Sequence, residues 1–277
     1  MKWKTVPSGT TETLTSIAVD SERRIWVGGA KGTLLSSEDD GRTFRTHASV
    51  IEHGFQRLAC AGTTRLVALS GGSIVAADLG AEPFEFQATT CRSRHLFGFC
   101  GVADTLYASG RRGAVVRSLD GALRWKSQKT GCTSFLYSVA GSPSGQVICA
   151  GGDGVMARSV DAGVTWQLIA LSYRRYVRGV VVVDDGDITV VADSGRVSQL
   201  GKTGGPHDID TGTDADFYAV CATNAGNIVA VGKCIVLRGC GGEWMADPIP
   251  NTHLVDVCAT LTGCVIAVGS GGAIVTM

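Results

Sequence analysis

The stretch RSVDAGVTWQ, residues 158–167, decides the fold that this sequence predicts. An approximate copy, SSEDDGRTFR, occupies residues 36–45, with Ser, Asp, Gly, Thr and an aromatic residue in the same order. A catalytic loop is rarely present twice in one chain. The repetition therefore indicates a structural device that the fold uses more than once.

A longer repeat surrounds these copies. Apolar strands followed by Gly or Ser recur as IWVGGAKGTLLSS, LVALSGGSIVAAD, LYASGRRGAVVRS, VICAGGDGVMARS, ITVVADSGRVSQL, IVAVGKCIVLRG and VIAVGSGGAIVTM. Each copy has one reference position: Val27, Leu69, Ala108, Ala150, Ala192, Val231 and Val268. Successive reference positions are 42, 39, 42, 42, 39 and 37 residues apart. A period near 40 residues is typical of four-stranded propeller blades.

Each repeat is expected to form four short strands, because its apolar segments are short, rich in β-branched residues and interrupted by Gly or Asp. The second strands are expected near residues 25, 66, 106, 147, 188, 228 and 265. The 38 glycines follow no collagen period. We expect them in turns such as AKG, RRG and GDG, where a positive φ is needed.

The two ends of the chain complement each other in this pattern. The last repeat stops after its third strand, and the N-terminal MKWKTV resembles a fourth strand, with Trp3 in the place that Trp166 takes in TWQLIA. We therefore expect residues 2–6 to complete the last blade and to leave no open sheet edge. The sequence predicts an all-β fold: a seven-bladed β-propeller of four-stranded blades, in a single domain over residues 1–277.

The opening motif has the pattern Ser-x-Asp-x-Gly-x-Thr-Trp/Phe and is expected in the turn between third and fourth strands. It resembles the Asp-box, or BNR repeat, of sialidase-like propellers. The resemblance implies a structural role, in which the carboxylate accepts hydrogen bonds from its own turn; a catalytic or calcium-binding role is the alternative. Two complete copies and one partial copy are Ser37, Asp39, Gly41, Thr43 and Phe44; Ser159, Asp161, Gly163, Thr165 and Trp166; and Ser118, Asp120 and Trp125.

In size, blade number and degenerate Asp-boxes, the chain is also similar to photosystem II stability and assembly factors and to YVTN-type or WD40-like bacterial propellers. The resemblance implies a binding platform rather than an enzyme, and an arginine-rich face in the photosystem factors. No site of those families carries over residue by residue.

Charge and cysteine content limit the expected partners and cofactors. Lys plus Arg and Asp plus Glu number 25 each, so the net charge gives no reason to expect nucleic acid or an anionic membrane. The ten cysteines show no CxxC spacing, and those in runs such as LACAG are typical of buried reduced thiols. The N-terminus lacks a signal-peptide pattern, and no apolar run of 18 residues occurs. We expect a cytoplasmic protein without membrane insertion, metal or cofactor.

The candidate binding site is a set of basic and aromatic residues in the unrepeated loops between repeats and in one hairpin turn. Loops carry function more often than strands do, and Arg with Tyr is enriched at protein hot spots. The alternative is that these arginines only solvate long loops. The predicted binding residues are Arg92, Arg94, His95, Arg111, Arg112, Tyr173, Arg174, Arg175, Tyr176 and Arg178, accompanied by Phe97 and Phe135.

These observations favour a non-catalytic protein-interaction scaffold, an assembly factor or an adaptor. The alternatives are a lectin-like propeller that binds a glycan or an anionic small molecule, and a glycoside hydrolase. Against the hydrolase, none of the glutamates stands beside a Tyr, and only Glu52 is expected near the central funnel. Three histidines, His53, His95 and His253, precede inner strands and are interpreted as ordinary rim residues.

Overall fold

The computed structural model describes residues 3–51, 53–62, 64–80, 82–91, 93, 95–102, 104–183, 186–201 and 204–277. These residues form short strands joined by tight turns and short 3-10 segments. No helix among them is long and apolar enough to cross a membrane. The strands are β1 (Lys4–Thr5), β2 (Leu14–Val19), β3 (Ile25–Gly29), β4 (Leu34–Ser37), β5 (Arg45–His47), β6 (Ser49–Val50), β7 (Phe55–Ala61), β8 (Arg65–Ser70), β9 (Ser73–Asp78), β10 (Phe84–Glu85), β11 (Gln87–Ala88), β12 (Leu96–Val102), β13 (Thr105–Gly110), β14 (Val115–Ser118), β15 (Lys126–Gln128), β16 (Leu136–Gly141), β17 (Val147–Gly151), β18 (Val155–Ser159), β19 (Gln167–Ala170), β20 (Val177–Val182), β21 (Ile188–Ala192), β22 (Val197–Leu200), β23 (His207–Ile209), β24 (Phe217–Ala222), β25 (Ile228–Cys240), β26 (Glu243–Ala259), β27 (Val265–Gly269) and β28 (Ile274–Thr276).

The fold is an all-β propeller of antiparallel sheets. Five sheets have four strands each, in the orders β2-β3-β4-β5, β7-β8-β9-β11, β12-β13-β14-β15, β16-β17-β18-β19 and β20-β21-β22-β23. A sixth sheet has six strands, in the order β24-β25-β26-β27-β28-β1. A parallel pair of β6 and β10 links the first sheet to the second.

The prediction of seven blades is wrong, because the described residues form six blades. The last two sequence repeats share one sheet: β26 pairs with β25 along its first part, from Glu243 to His253, and with β27 from Leu254 onward. The segment ADPIPNTHLV, which joins the last two sequence repeats, lies inside this 17-residue strand. Its two prolines favour extended backbone before and at each proline. The strand is irregular there, because Asn251 has a φ of 60° and the pairing register with β25 shifts between Pro248 and His253.

The N-terminal strand completes the sixth sheet, as the sequence predicts. β1 pairs antiparallel with β28, with Lys4 opposite Thr276, and the Val6 amide donates to the Ile274 carbonyl at 2.9 Å. Of the residues predicted for this strand, Lys2 lies outside the described residues. The pairing brings the first and last strands of the chain into the same sheet, so the ring of sheets has no gap there.

The core lies between neighbouring sheets. Leu14 and Val27 of the first sheet pack with Ile266 and Ile274 of the sixth, and all four side chains are fully buried. Similar clusters fill the other spaces between sheets, with Phe217 among the largest fully buried side chains. Such burial of apolar surface is the main stabilising contribution in a fold that has little helix.

The motif of the opening stretch forms a hydrogen-bonded turn between β18 and β19. Asp161 accepts hydrogen bonds from the Thr165 amide at 2.8 Å and hydroxyl at 2.5 Å, and from the Ser159 hydroxyl at 2.7 Å. The hydrogen bonds from Thr165 and Ser159 lower the pKa of Asp161 to about 2. The Trp166 indole donates to the Gly163 carbonyl at 3.1 Å. These contacts are all local to the turn.

Candidate binding surface at the channel mouth

The inner strand of each sheet carries a bulge near its start. In each case the pairing register with the second strand skips one residue, and the sixth sheet contributes two such strands, β24 and the second part of β26. A bulge bends its strand and redirects the side chain of the extra residue. The skipped residues are Thr15, Gln56, Phe97, Tyr137, Arg178, Tyr218 and Val255.

Most of these side chains meet at one end of the central channel. They surround an open cavity of about 310 Å³, which we call the mouth, lined by Arg57, Phe97, Tyr137, Arg178, Tyr218 and Val255. Below the mouth, residues of the same inner strands line a narrower cavity of about 220 Å³ on the axis. The bulges therefore build the mouth, because they turn aromatic and basic side chains out of the sheets.

Four aromatic rings form a cluster at one side of the mouth. Tyr137 lies at its centre, with ring centroids 5.5 Å from Phe97, 6.2 Å from Phe135 and 5.8 Å from Tyr176. The contacts to Phe135 and Tyr176 are edge-to-face, a geometry that aromatic pairs prefer. Tyr176 is 51% exposed and Phe135 39% exposed. The cluster is thus a fixed aromatic surface that faces water.

Arg178 is held at the mouth from several directions. Its Nη2 donates to Asp193 Oδ2 at 3.1 Å, and its Nε donates to Asp193 Oδ1. The guanidinium carbon lies 5.8 Å from the Tyr176 ring and 5.7 Å from the Tyr218 ring. The hydrogen bonds to Asp193 raise the pKa of Arg178 further above its usual value. The side chain is therefore a permanent positive charge in a defined orientation, stacked on two aromatic rings.

A second basic side chain, Arg57, lies at the mouth beside a carboxylate of the channel wall. Arg57 Nη1 donates to the Thr15 carbonyl at 3.1 Å. Asp256 accepts from the Ile17 amide at 3.0 Å and from the Val257 amide at 3.0 Å. Burial raises the pKa of Asp256, and the positive charge of Arg57 works in the opposite direction. Each arginine of the mouth thus has an acidic neighbour.

Several of the predicted binding residues are brought together here. Arg111 is exposed, and its guanidinium lies 5.8 Å from the Phe135 ring of the aromatic cluster. Tyr176 and Arg178 join the same cluster directly. The remaining exposed members show no such contact with the cluster, and they are His95, Arg112, Arg174 and Arg175. Arg92 and Arg94 lie outside the described residues.

Tyr173 is not part of this surface. It packs against the buried cluster that contains Leu171 and Leu200, and its hydroxyl accepts a hydrogen bond from Ser198 at 3.1 Å. Arg196 stacks on the same ring, 5.9 Å from its centroid. Although Tyr173 is only three residues from Tyr176 in sequence, it points between sheets and supports the fold.

Sequence reasoning missed Arg57, Tyr137 and Tyr218. A signal for Tyr137 and Tyr218 was present in the repeat, since the bulge position follows the first residue of every inner strand; Arg57 comes one residue after the bulge position Gln56. These positions are spaced by 41, 41, 40, 41, 40 and 37 residues from Thr15 to Val255. The three rim histidines of the sequence prediction lie apart and are each exposed: His53 and His95 just before β7 and β12, and His253 within β26. The described residues hold no cluster of His, Cys, Asp and Glu that fits a metal ion.

Many solved structures have a fold similar to that of this chain. No protein-family model and no curated protein matches the chain. Among solved structures, YCF48 from Cyanidioschyzon merolae is similar over 100% of this chain and 98% of its own, with a TM-score of 0.79 and 15% identity. YCF48 bound to D1 peptide is similar over 99% and 96%, with a TM-score of 0.77 and 13% identity. An inactive virginiamycin B lyase from Staphylococcus aureus with quinupristin is similar over 99% and 98%, with a TM-score of 0.83 and 10% identity. At these identities the similarity shows the β-propeller fold alone.

Proposed function

We propose that this propeller is a protein-interaction scaffold, an assembly factor or adaptor, whose mouth binds a peptide segment of its partner and is not catalytic. The observation that carries the proposal is the exposed aromatic cluster, with Arg178 stacked on one of its rings and Arg111 at its edge. Aromatic and arginine side chains that are already ordered lose little entropy on binding and are the usual anchors of protein interfaces.

The size and charge of the mouth favour a peptide over an anion or a glycan. A cavity of about 310 Å³ accommodates one or two side chains of an inserted loop. The charge of Arg178 is largely neutralised by Asp193, and Arg57 lies beside Asp256, so little net positive charge is left to attract an anionic ligand. The D1 peptide bound by YCF48, a propeller of similar structure, supports the same use of the fold.

The proposal extends to the type of propeller and to its location in the cell. We infer an Asp-box propeller that forms one unit over residues 1–277, because the turns at Asp39 and Asp161 share the same hydrogen bonds. We infer a cytoplasmic location, because the ten cysteines are unpaired thiols and reducing compartments favour that state. Fractionation of the native cell tests this location, and recovery of the chain from a secreted or periplasmic fraction would contradict it.

An affinity purification from the native cell, followed by titration of the recovered partner, tests the binding face. The variant Tyr176→Ala with Arg111→Ala removes two exposed side chains of the mouth region, so the fold is expected to persist. Loss of one hot-spot side chain costs about 2 kcal/mol or more, so we expect at least a thirtyfold weaker Kd.

A matched control removes exposed apolar side chains at the opposite end of the strands. Leu123 and Val164 are 59% and 68% exposed in turns between third and fourth strands, away from the mouth. The double variant Leu123→Ala with Val164→Ala is expected to retain the wild-type partners and affinity. Equal binding by wild type and the Tyr176/Arg111 variant would refute the proposed face.

A further inference from the structure

A chain of hydrogen bonds joins a serine, a histidine and a glutamate far from the mouth. Ser36 Oγ lies 2.7 Å from His47 Nε2, and His47 Nδ1 lies 2.6 Å from Glu82 Oε1. The two ring nitrogens therefore face different partners, the hydroxyl on one side and the carboxylate on the other. This order of groups is the one that activates a serine for nucleophilic attack in hydrolases of unrelated folds. We propose that Ser36, His47 and Glu82 form a hydrolytic site for small carboxylic esters.

Three separate elements bring these groups together. Ser36 lies on β4 and His47 at the end of the neighbouring strand β5. Glu82 comes from the segment before β10, which the parallel pairing of Phe84 with Ser49 holds beside the first sheet. The site therefore spans the boundary between the first and second sheets, and its geometry depends on their packing.

The imidazole is fixed in place by aromatic neighbours. The ring of His47 lies 5.3 Å from that of Trp26 and 5.4 Å from that of Phe84, and its side chain is 6% exposed. A base held this firmly keeps its alignment with the hydroxyl without loss of side-chain entropy during reaction. Glu82 accepts a hydrogen bond from Nδ1–H, so the tautomer that it favours leaves Nε2 free to accept the proton of Ser36.

The propeller fold itself does not require these residues. In the other four-stranded sheets, the pairing register places Thr89, Gln128, Ile169 and Ile209 in the position of His47. The position of Ser36, one residue before the serine of the Asp-box motif, is taken by Arg117 in the third sheet. The serine, the histidine and their carboxylate are thus specific to this one sheet boundary.

A cavity next to the hydroxyl provides room for a substrate. Its volume is about 590 Å³, within the range of small-molecule sites, and Ser36, His47 and Glu82 all line it. Leu79 and Phe84 form part of an apolar wall. The guanidinium groups of Arg24 and Arg45 line the same cavity.

These arginines are the groups in the cavity that can stabilise an oxyanion. Each guanidinium has five N–H donors. Arg45 uses its Nη2 on Glu82, at 3.0 and 3.1 Å. Arg24 uses its Nε on Asp20 at 2.8 Å and its Nη2 on Glu22 at 3.2 Å. The donors that are left can bind the oxygen that becomes negative when an ester carbonyl is attacked.

The reaction needs only the substrate and water. The oxygen of Ser36 forms a bond to the ester carbonyl carbon while its proton moves to His47 Nε2. The bond from that carbon to the alcohol oxygen then breaks, and His47 returns the proton to the departing alcohol. In the second half, water attacks the acyl-serine, gives one proton to His47, and the acid leaves as Ser36 recovers its proton.

Covalent labelling of the full wild-type chain tests this directly. A fluorophosphonate probe is expected to modify Ser36, as located by peptide mass spectrometry, and prior labelling is expected to abolish hydrolysis of p-nitrophenyl acetate. Because no variant is needed, the result does not depend on the stability of a mutant. A chain whose Ser36 stays unmodified under excess probe would overturn the proposal.

Variants then distinguish a catalytic role of these residues from a purely structural one. Ser36→Ala is expected to abolish labelling and turnover, and His47→Gln to lower kcat at least a hundredfold. Glu82→Gln, at the positioning residue, is expected to lower kcat with little change in KM and to alter the pH dependence of kcat. Ser198→Ala is the control, because Ser198 is also buried and bonded to a carboxylate, that of Asp208 at 2.7 Å, without a histidine. Equal labelling of Ser36 in wild type and His47→Gln would refute the role of the base.

Discussion

The turn between β4 and β5 offers the sharpest test of the hydrogen-bonded motif. Asp39 Oδ1 accepts hydrogen bonds from Ser37 Oγ at 2.8 Å, the Arg42 amide at 3.0 Å and the Thr43 amide at 2.9 Å. Asp39 Oδ2 accepts one from the Thr43 hydroxyl at 2.6 Å. In the variant Asp39→Asn an amide NH₂ replaces Oδ2, so the bond from Thr43 Oγ1 is lost together with the negative charge.

The size of the effect follows from the pKa of this carboxylate. Partial burial acts to raise that pKa, but the hydrogen bonds from Thr43, Ser37 and Arg42 outweigh it and lower the pKa from 3.8 to about 2. At about 1.4 kcal/mol per pKa unit, full transmission to stability would give roughly 2.5 kcal/mol. Because much of the carboxylate is in contact with water, we reduce this to about 1 kcal/mol. That loss corresponds to a Tm lower by about 2 °C.

The pH dependence has a definite sign. A carboxylate whose pKa is lower in the folded state stabilises the fold above its unfolded pKa, and this stabilisation disappears as the pH falls through the folded pKa. The difference in free energy of unfolding between wild type and Asp39→Asn is therefore expected to be constant from pH 7 to about 5. It is expected to shrink between about pH 4 and 2.

Denaturant unfolding followed by tryptophan fluorescence, at several pH values, measures this difference. Asp40→Asn is the matched control, because it changes the same charge on the same turn at a side chain that accepts no hydrogen bond there. If Asp39→Asn and Asp40→Asn unfold at the same denaturant concentration at pH 7, the stabilising role of the network is refuted.

Two further predictions concern the backbone and the channel. Gly113→Ala is expected to destabilise the fold in urea unfolding by at least about 2 kcal/mol more than Gly212→Ala. Both glycines have a positive φ, but only at Gly113 would an added Cβ overlap a neighbour, the Cys132 carbonyl. Equal losses of stability in the two variants would contradict this. Since burial raises the pKa of Asp256, the folded wild type holds more protons than the unfolded chain above pH 3.8, and its stability falls as the pH rises through the folded pKa. Asp256→Asn has no titrating carboxyl at this position, so its free energy of unfolding relative to that of wild type is expected to rise from pH 4 to pH 7 in the same assay. A difference that stays constant over this range would count against the raised pKa.

The strand pattern was accessible from sequence because its signals are local. Turns such as the one at Gly113 combine a positive φ with contact to the next connection, and only glycine meets both conditions there. The number of blades was not accessible in the same way. Whether the chain turns after Asp247 or continues as one strand depends on pairing with β25 and β27, and the prolines of that segment are compatible with both a loop and an extended edge.

The candidate sites were less accessible, because they depend on side-chain direction. Tyr173 and Tyr176 have the same character in sequence, yet one packs between sheets and the other is exposed at the mouth. Tyr137 follows from the bulge register, which only the paired strands reveal. The contact of His47 with Glu82 joins residues 35 positions apart across a sheet boundary, and no local pattern indicates it.

The pairing of β1 with β28 has a consequence for synthesis on the ribosome. β1 is made before the other described strands, and its partner β28, Ile274–Thr276, is made after them. Until β28 emerges, β1 lacks its backbone partner and the first sheet lacks its apolar contact with Ile274, so both expose surface that other chains can bind. If the termini were instead joined and the chain opened in an exposed turn near Asn224, every sheet pairing would be preserved. Such a circular permutant is expected to fold to the same structure while following a different order of assembly.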